Sequence, residues 1–246
     1  MAKESGLGDG LFVQGFDLSG DIQQVNQIGS PRGVIDVTGI DKRAYERIYG
    51  IRDGVIDMTT HFNTSVGQQF PTLKQIPDTD THVMYRHGSS LGNPAAALVA
   101  KRTTFEMTRS NEGAVTFTVN SQANAYGLEW GVQLTAGKRT DTTGTNGTSV
   151  DQTTASTAFG WQAYLQVFAV TGTSVTVKIQ DSADNSSWAD LSGASFTAAT
   201  AAGVQRIQAA SSTATVRRYV RVVSSGTFTN AQFAVMFNRN SAAVTF

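Results

Sequence analysis

Three histidines, His61, His82 and His87, are the only imidazoles in the chain. His82 and His87 do not have the spacing that brings two ligands onto a metal from one helical turn. All three fall on strand-like stretches or their ends, which favours surface or hydrogen-bonded roles. Asp181, Asp184, Asn185 and Asp190 cluster between two predicted strands and raise the question of calcium. The EF-hand offsets fail, because Ala183 stands where an oxygen ligand is needed and no glycine follows Asn185. Asx side chains bonding nearby amides in a turn are the simpler reading. Trp188 beside them could stack on a sugar, and packing across the sandwich is the preferred expectation. Arg217-Arg218-Tyr219-Val220-Arg221 could pass for a nucleic-acid stripe. On a strand, however, Arg218 points away from Arg217, Tyr219 and Arg221, which fits a solvated or subunit-facing sheet.

Gly6, Gly8 and Gly10 suggest a phosphate loop only superficially. No strand precedes them and no helix follows, so a flexible N-terminal arm is expected. A G-x-x-x-x-G-K-[ST] loop and an H-E-x-x-H pair are both absent from the sequence, and Gly88-Ser89-Ser90-Leu91-Gly92 reads as part of a polar, turn-rich segment. Nothing singles out a pair among the 19 acidic residues for glycoside hydrolysis. The expectation is a non-enzyme with no catalytic, metal or cofactor-binding residues and no cofactor.

Composition supports this. Charged residues make up 15% of the 246 residues and hydrophobic ones 40%, so the polar remainder is mostly Thr, Ser, Asn, Gln and Gly. Such a mixture favours strands and turns over amphipathic helices. Lys plus Arg and Asp plus Glu both number 19. Residues 1–140 hold 13 basic and 14 acidic side chains, and residues 141–246 hold 6 and 5. A tight DNA binder would carry a basic excess. The absence of cysteine removes disulfides and thiolate sites and leaves stability to packing and oligomerisation. Without an apolar leader or a run of about 18 apolar residues, the expectation is a soluble protein made in the cytoplasm, with no membrane anchoring.

The elements follow from periodicity. Gly33 to Thr38 is a short β-branched run, and Asp41 then caps an expected helix through Ala44, Tyr45, Ile48 and Tyr49, stopped by Gly50. Ile56, Met58 and Phe62 share one strand face, with Asp57, Thr59 and His61 on the other. Residues 63–80 contain Pro71 and Pro77 and read as a long connection. Residues 103–108 and 115–119 read as a hairpin turning at Ser110 to Gly113, with Val115, Phe117 and Val119 pointing one way.

Residues 141–157, at the heart of a Thr/Gly-rich stretch, read as a linker or mobile loop between a domain over 1–140 and another over 158–246. The later half offers four strands, residues 164–170, 175–180, 216–223 and 232–238. Tight turns are expected at Thr171-Gly172-Thr173 and Ser225-Gly226-Thr227. That is a small antiparallel sandwich.

Gly15-Phe16-Asp17-Leu18-Ser19-Gly20-Asp21-Ile22, then Ile35-Asp36-Val37-Thr38-Gly39-Ile40, then Tyr45 to Gly54 resemble in order the opening of siphophage major tail, or tail tube, proteins. Gly113 to Val119 and the Tyr164 to Arg239 half fit the same plan, whereas residues 60–100 contribute little. The resemblance implies a mainly β fold. It would comprise a tail-tube-like β-sandwich or barrel with one short flanking helix, plus a C-terminal antiparallel β-sandwich, here placed at the periphery. It also implies stacked, hexameric rings forming a conduit for phage DNA, in the virion tail.

The partners implied are other copies of the chain, other phage tail proteins, and DNA only in transit through a lumen without a strong basic stripe. Extended arms and long connections grip neighbours through backbone pairing. Leu11 and Phe12 near the N-terminal arm, with Gln68, Gln69, Phe70 and Leu73 on the long connection, are accordingly the candidate interface residues. The rival expectations are a head-decoration or tail-tip receptor- or glycan-binding protein and, last, a secreted glycan-active enzyme.

Overall fold

A computed structural model describes residues 5–244, and among them it is almost entirely β. The first part comprises β1 (Gly10–Val13), β2 (Phe16–Asp17), β3 (Ile22–Gly29), β4 (Arg32–Asp36), β5 (Arg47–Arg52) and β6 (Val55–His61). A five-residue helix, α1 (Gln69–Leu73), then precedes β7 (Thr81–Arg86), β8 (Pro94–Arg109) and β9 (Val115–Ala123). Hydrogen bonds run through these strands in the order β2-β1-β7-β8-β9-β6-β3, while β4 pairs only with β5 in a separate two-stranded sheet. The expected hairpin at 103–119 is present, with Arg109 opposite Val115. Ile56, Met58, Phe117 and Val119 line the first core with Leu11, Leu73 and Leu98.

The second part comprises β10 (Glu129–Gln133), β11 (Arg139–Asp141), β12 (Val150–Thr157), β13 (Trp161–Ser182), β14 (Ala189–Ser195), β15 (Gly203–Gln208) and β16 (Val216–Arg239). The four strands read from sequence are two very long ones. β13 and β16 pair along nearly their whole lengths, and register shifts at Thr171 to Ser174 replace the expected turn. Gly172 and Gly226 lie in this bent stretch at φ of 133° and 123°. A Cβ on Gly226 would come within 2.4 Å of the Ser174 carbonyl, so only glycine fits. The bend brings Trp161 and Leu165 from one end of the ribbon onto one core with Val177, Ile179 and Val222 from the other. Bulged glycines thus make a sandwich corner where chain reversals were expected.

Two further expectations are corrected. Residues 41–50 form no helix: β5 begins at Arg47 and pairs with β4, Tyr49 opposite Val34 and Ile48 opposite Ile35. A helix of about nine residues is marginal in water without packing support. The Val37 amide bonds the Glu46 carbonyl, and the Glu46 amide bonds the Thr38 hydroxyl, closing a hairpin. The short helix lies instead at α1. Residues 141–157 are likewise no loose linker, because β11 and β12 both pair with β16. Their threonines make a polar edge of the sheet, and Arg139 forks onto the buried carboxylate of Asp141 at 2.7 Å.

The halves are joined by sheet and by packing. β10 pairs with β8 on one side and β16 on the other. The alanine run in β8 sits between two cores: Ala96 and Ala100 face the first, while Ala95 and Ala97 face a third cluster with Phe12, Tyr164 and Met236. Both faces of that strand are covered closely, which explains small residues where isoleucine would ordinarily serve.

Candidate assembly surface

The β4–β5 hairpin continues the β3–β6 pair outward as an arm. Its bases are Ser30-Pro31 and Asp53-Gly54, where the Asp53 amide bonds the Pro31 carbonyl at 3.0 Å. Gly54 is required there, since a Cβ would lie 2.5 Å from the Leu128 nitrogen. Beyond the base the arm is apolar and wet: Ile51 is 90% exposed, Tyr49 71%, Val34 57% and Ile48 53%. Two strands alone are marginal in water and contribute no core of their own. None of the described arm residues belongs to a buried cluster of the chain. Contiguous exposed apolar surface of this kind marks an interaction site.

A second apolar surface lies at the other end of β6, about 20 Å away at roughly 3.3 Å per residue. Phe62 and Met107 are exposed there, over Phe117, with the Phe62 and Phe117 rings 5.6 Å apart. The 63–80 connection adds exposed Val66 and Ile76. That connection is tied down: Asp21 accepts from the Asn63 side chain at 2.7 Å and the Gln69 amide at 2.8 Å. A third surface is a groove of about 700 Å³ between residues 6–11 and β3, with Tyr85 and exposed Trp130 in its lining. β3 pairs with β6 alone, so its other edge faces this groove.

The outer face of the β3–β6–β9–β8 sheet is different. Three of its cross-strand rows read His61–Thr116–Thr108, Thr59–Thr118–Glu106 and Asp57–Asn120–Thr104, with hydroxyls, amides and two acids, and the next, Val55–Gln122–Lys101, brings in one lysine, paired with Asp80 at 2.9 Å. Burial pushes the Asp57 carboxyl up, and the Ser121 amide it accepts pulls it down.

The interface residues expected from sequence are largely withdrawn from the surface. Leu11, Phe12, Gln69 and Leu73 are buried in the chain itself, because β1 is covered on both faces by core clusters and Leu73 of α1 packs into the first core. Gln68 and Phe70 are half-exposed, and Phe70 packs edge-on against Phe62. Of the expected N-terminal arm, residues 1–4 lie outside the described residues. Residues 5–10 are anchored: the Asp9 carboxylate accepts from the Tyr85 hydroxyl and the Gly88 amide, and meets His87 Nδ1 at 2.9 Å.

The arm itself escaped sequence reading, although a signal was present. Val34-Ile35 and Ile48-Tyr49 place apolar residues consecutively, which on strands puts them on both faces.

The residues considered for chemistry are dispersed. His61 is on the polar sheet face. His82 lies at the junction of the halves, its ring 6.3 Å from Tyr164, and burial pulls its pKa down to about 4 against the opposing pull of Asp80. Asp184 accepts from the Ser186 and Ser187 amides, Asp190 from Lys178 and Gln180, and Asp181 from Arg217. Asp184 makes the turn contacts expected of an Asx residue, whereas Asp181 and Asp190 lie on β13 and β14 and bond side chains across the sheet. Among the described residues no three His, Asp or Glu side chains gather as a metal site, and no helix is long and apolar enough to cross a membrane. Trp188 is half-buried under the Arg221 guanidinium, 4.3 Å from its ring centre, and does not pack across the sandwich.

At the junction, Arg206 of β15 forks onto Glu129 of β10 at 2.7 Å, bonds the Tyr164 hydroxyl at 3.0 Å and stacks on Tyr126 at 3.7 Å. Both charged side chains are buried.

No family model and no curated protein matches the chain. Among solved structures, it is similar to a chain of the virion of a native gene transfer agent particle. That match has 13% identity and a TM-score of 0.42, over 52% of this chain and 98% of that one. It is also similar to the Dit (gp 19.1) protein of SPP1, described as a hub adsorption apparatus in phages infecting Gram-positive hosts. Here identity is 11% and the TM-score 0.33, over 94% and 99% of the two chains. A chain of the activated phage p2 baseplate gives 8% and 0.36 over 94% and 98%. At TM-scores below 0.5 these likenesses carry no assignment.

Proposed function

We propose that the chain is a structural subunit of a bacteriophage tail, specifically a major tail tube protein that polymerises into stacked, hexameric rings around a DNA conduit. One observation carries this reading: an apolar arm at one end of β6 and an apolar patch at the other. A donor and an acceptor at opposite ends of one subunit give heterologous contacts, which produce rings and open filaments. The resemblance of residues 15–54 to tail tube proteins supplies the particular kind of filament. The polar β3–β6–β9–β8 face suits a lumen, because DNA slides past hydroxyls, amides and a few acids without the counterion release that basic stripes provide. Residues 1–140 would build the wall and residues 158–246 would sit outside it, since exposed large apolar side chains are absent after Trp130 among the described residues. The role needs no cofactor and no catalytic residue.

Negative-stain electron microscopy of the concentrated pure protein, or of particles containing it, is the test. Rings or tubes are the expected result. A strictly monomeric species at every concentration would refute the reading.

A further inference from the structure

The arm carries more than an apolar patch, because its two faces are both apolar. Cross-strand pairing puts Val34 beside Tyr49 on one face and Ile35 beside Ile48 on the other, and all four are more than half exposed. A pair of strands presented to one flat partner would leave the second set of side chains in water. We propose that the arm is gripped on both faces at once, by two further copies of this chain, so that each arm joins three subunits. This rests on the tail-subunit reading and specifies its partners.

Copies of the same chain are the occupants because the chain offers what the arm lacks. The body has two separate exposed apolar surfaces, one at Phe62 and Met107 and one in the groove at Leu7 and Trp130. The arm's charge is small, with five basic side chains against three acidic ones over residues 32–52, and three of the cations have partners within the arm. Lys42 faces Glu46 at 3.5 Å, and the Arg32 and Arg47 guanidinium groups each lie 4.5 Å from a tyrosine ring centre of the arm itself. A nucleic-acid or anionic-lipid partner would call for a larger basic excess than this. With one neighbour in place an arm is half covered, and the second neighbour completes the burial. Assembly should therefore be cooperative, with a sharp threshold in protein concentration.

The test takes one face at a time in the full chain. Val34→Thr with Tyr49→Thr strips one face, and Ile35→Thr with Ile48→Thr strips the other, threonine keeping the strand preference. Each pair alone should raise the assembly threshold at least about tenfold, the loss expected for two buried apolar side chains, with the melting midpoint unchanged. The chain has no cysteine, so Val34→Cys and Ile35→Cys can be cross-linked singly to nearby amines within assembled material. The captured peptides should come from two different surfaces of the body. Assembly that tolerates threonine on either face, or capture of one and the same peptide from both positions, overturns the inference while leaving the subunit reading intact. A wild-type chain that never assembles overturns both.

Discussion

The two halves of this chain handle their surfaces in opposite ways. Up to Trp130, sixteen large apolar side chains stand exposed, eight of them between Val34 and Ile51; after Trp130 there are none among the described residues. The arginines of the second half are just as settled. Arg206, Arg217 and Arg218 each fork onto a carboxylate, Arg221 bonds Gln180, and Arg239 bonds the carbonyls of Gln152 and Thr154. One half is finished as a monomer and the other is not. The lesson is that a shared sheet through β10 does not oblige both halves to share a role.

The largest effect should come from removing the unfinished part. Replacing residues 33–51 with a short Gly-Ser turn should abolish assembly, while leaving the melting midpoint within a few degrees, since no core side chain is lost. Light scattering and microscopy read the first quantity and circular dichroism the second. Retained assembly would break the contrast at its centre, because the exposed arm would then be serving nothing.

The next effect tests what holds the finished half in place. Arg206→Ala leaves the Glu129 carboxylate buried without its partner, and breaking a buried pair in this way costs about 3–5 kcal/mol. Urea unfolding should register that loss. Replacing both members with methionine should recover much of it, because two apolar groups bring no unpaired charge. A loss confined to one of two separate transitions would show that the halves unfold independently. A single shifted transition would show the latch binding them into one cooperative unit.

Much of the strand pattern was legible in sequence, and what was missed, the arm above all, has physical causes. Strands with clean alternation, such as Val115, Phe117 and Val119, were readable because one face is core and the other wet. Gly172 and Gly226 read as turns because glycine signals a break in extended chain. Only the tertiary pairing reveals that the break is a bend within a continuous ribbon. The threonines of 150–157 read as linker because an edge strand and a solvated loop share a composition. The arm read partly as helix because Tyr45, Ile48 and Tyr49 also fit a 3.6 period, and no sequence rule reports that a strand's second face awaits another molecule. The burial of the expected interface residues Leu11, Phe12, Gln69 and Leu73 went unread for a related reason: residues near an extended terminus or on a loop look available until the core they fill is seen.

The junction gives a third effect, dependent on pH. His82 is largely buried, and its pKa of about 4 lies below the ordinary 6.5, chiefly from burial, with Arg206 adding to it and Asp80 opposing it. The unfolded chain therefore binds a proton between pH 6.5 and 4 that the folded chain refuses. The neutral-His contribution is present above pH 6.5 and lost as pH falls to about 4, roughly 3 kcal/mol in all. His82→Phe should flatten that part of the stability profile. A wild-type slope that survives the substitution would place the acid sensitivity elsewhere, and would remove the junction as the chain's weak point in acid.

The smallest effect is the sharpest control on the latch. Arg218 and Asp151 form the same two-pronged contact as Arg206 and Glu129, with both bonds at 2.8 Å, but in solvent. Exposed pairs are screened and must hold two long side chains in one geometry, so Arg218→Ala should leave the melting midpoint at neutral pH unresolved from wild type. The Arg218 hydrogen bonds do hold the Asp151 pKa down to about 2 from 3.8. Any contribution is therefore present above 3.8 and lost only as pH falls towards 2, below the window in which His82 titrates. An Arg218 variant that weakens the protein at neutral pH as much as the Arg206 variant would mean that burial is not what separates the two pairs. The second half would then depend on its surface as heavily as the first half does.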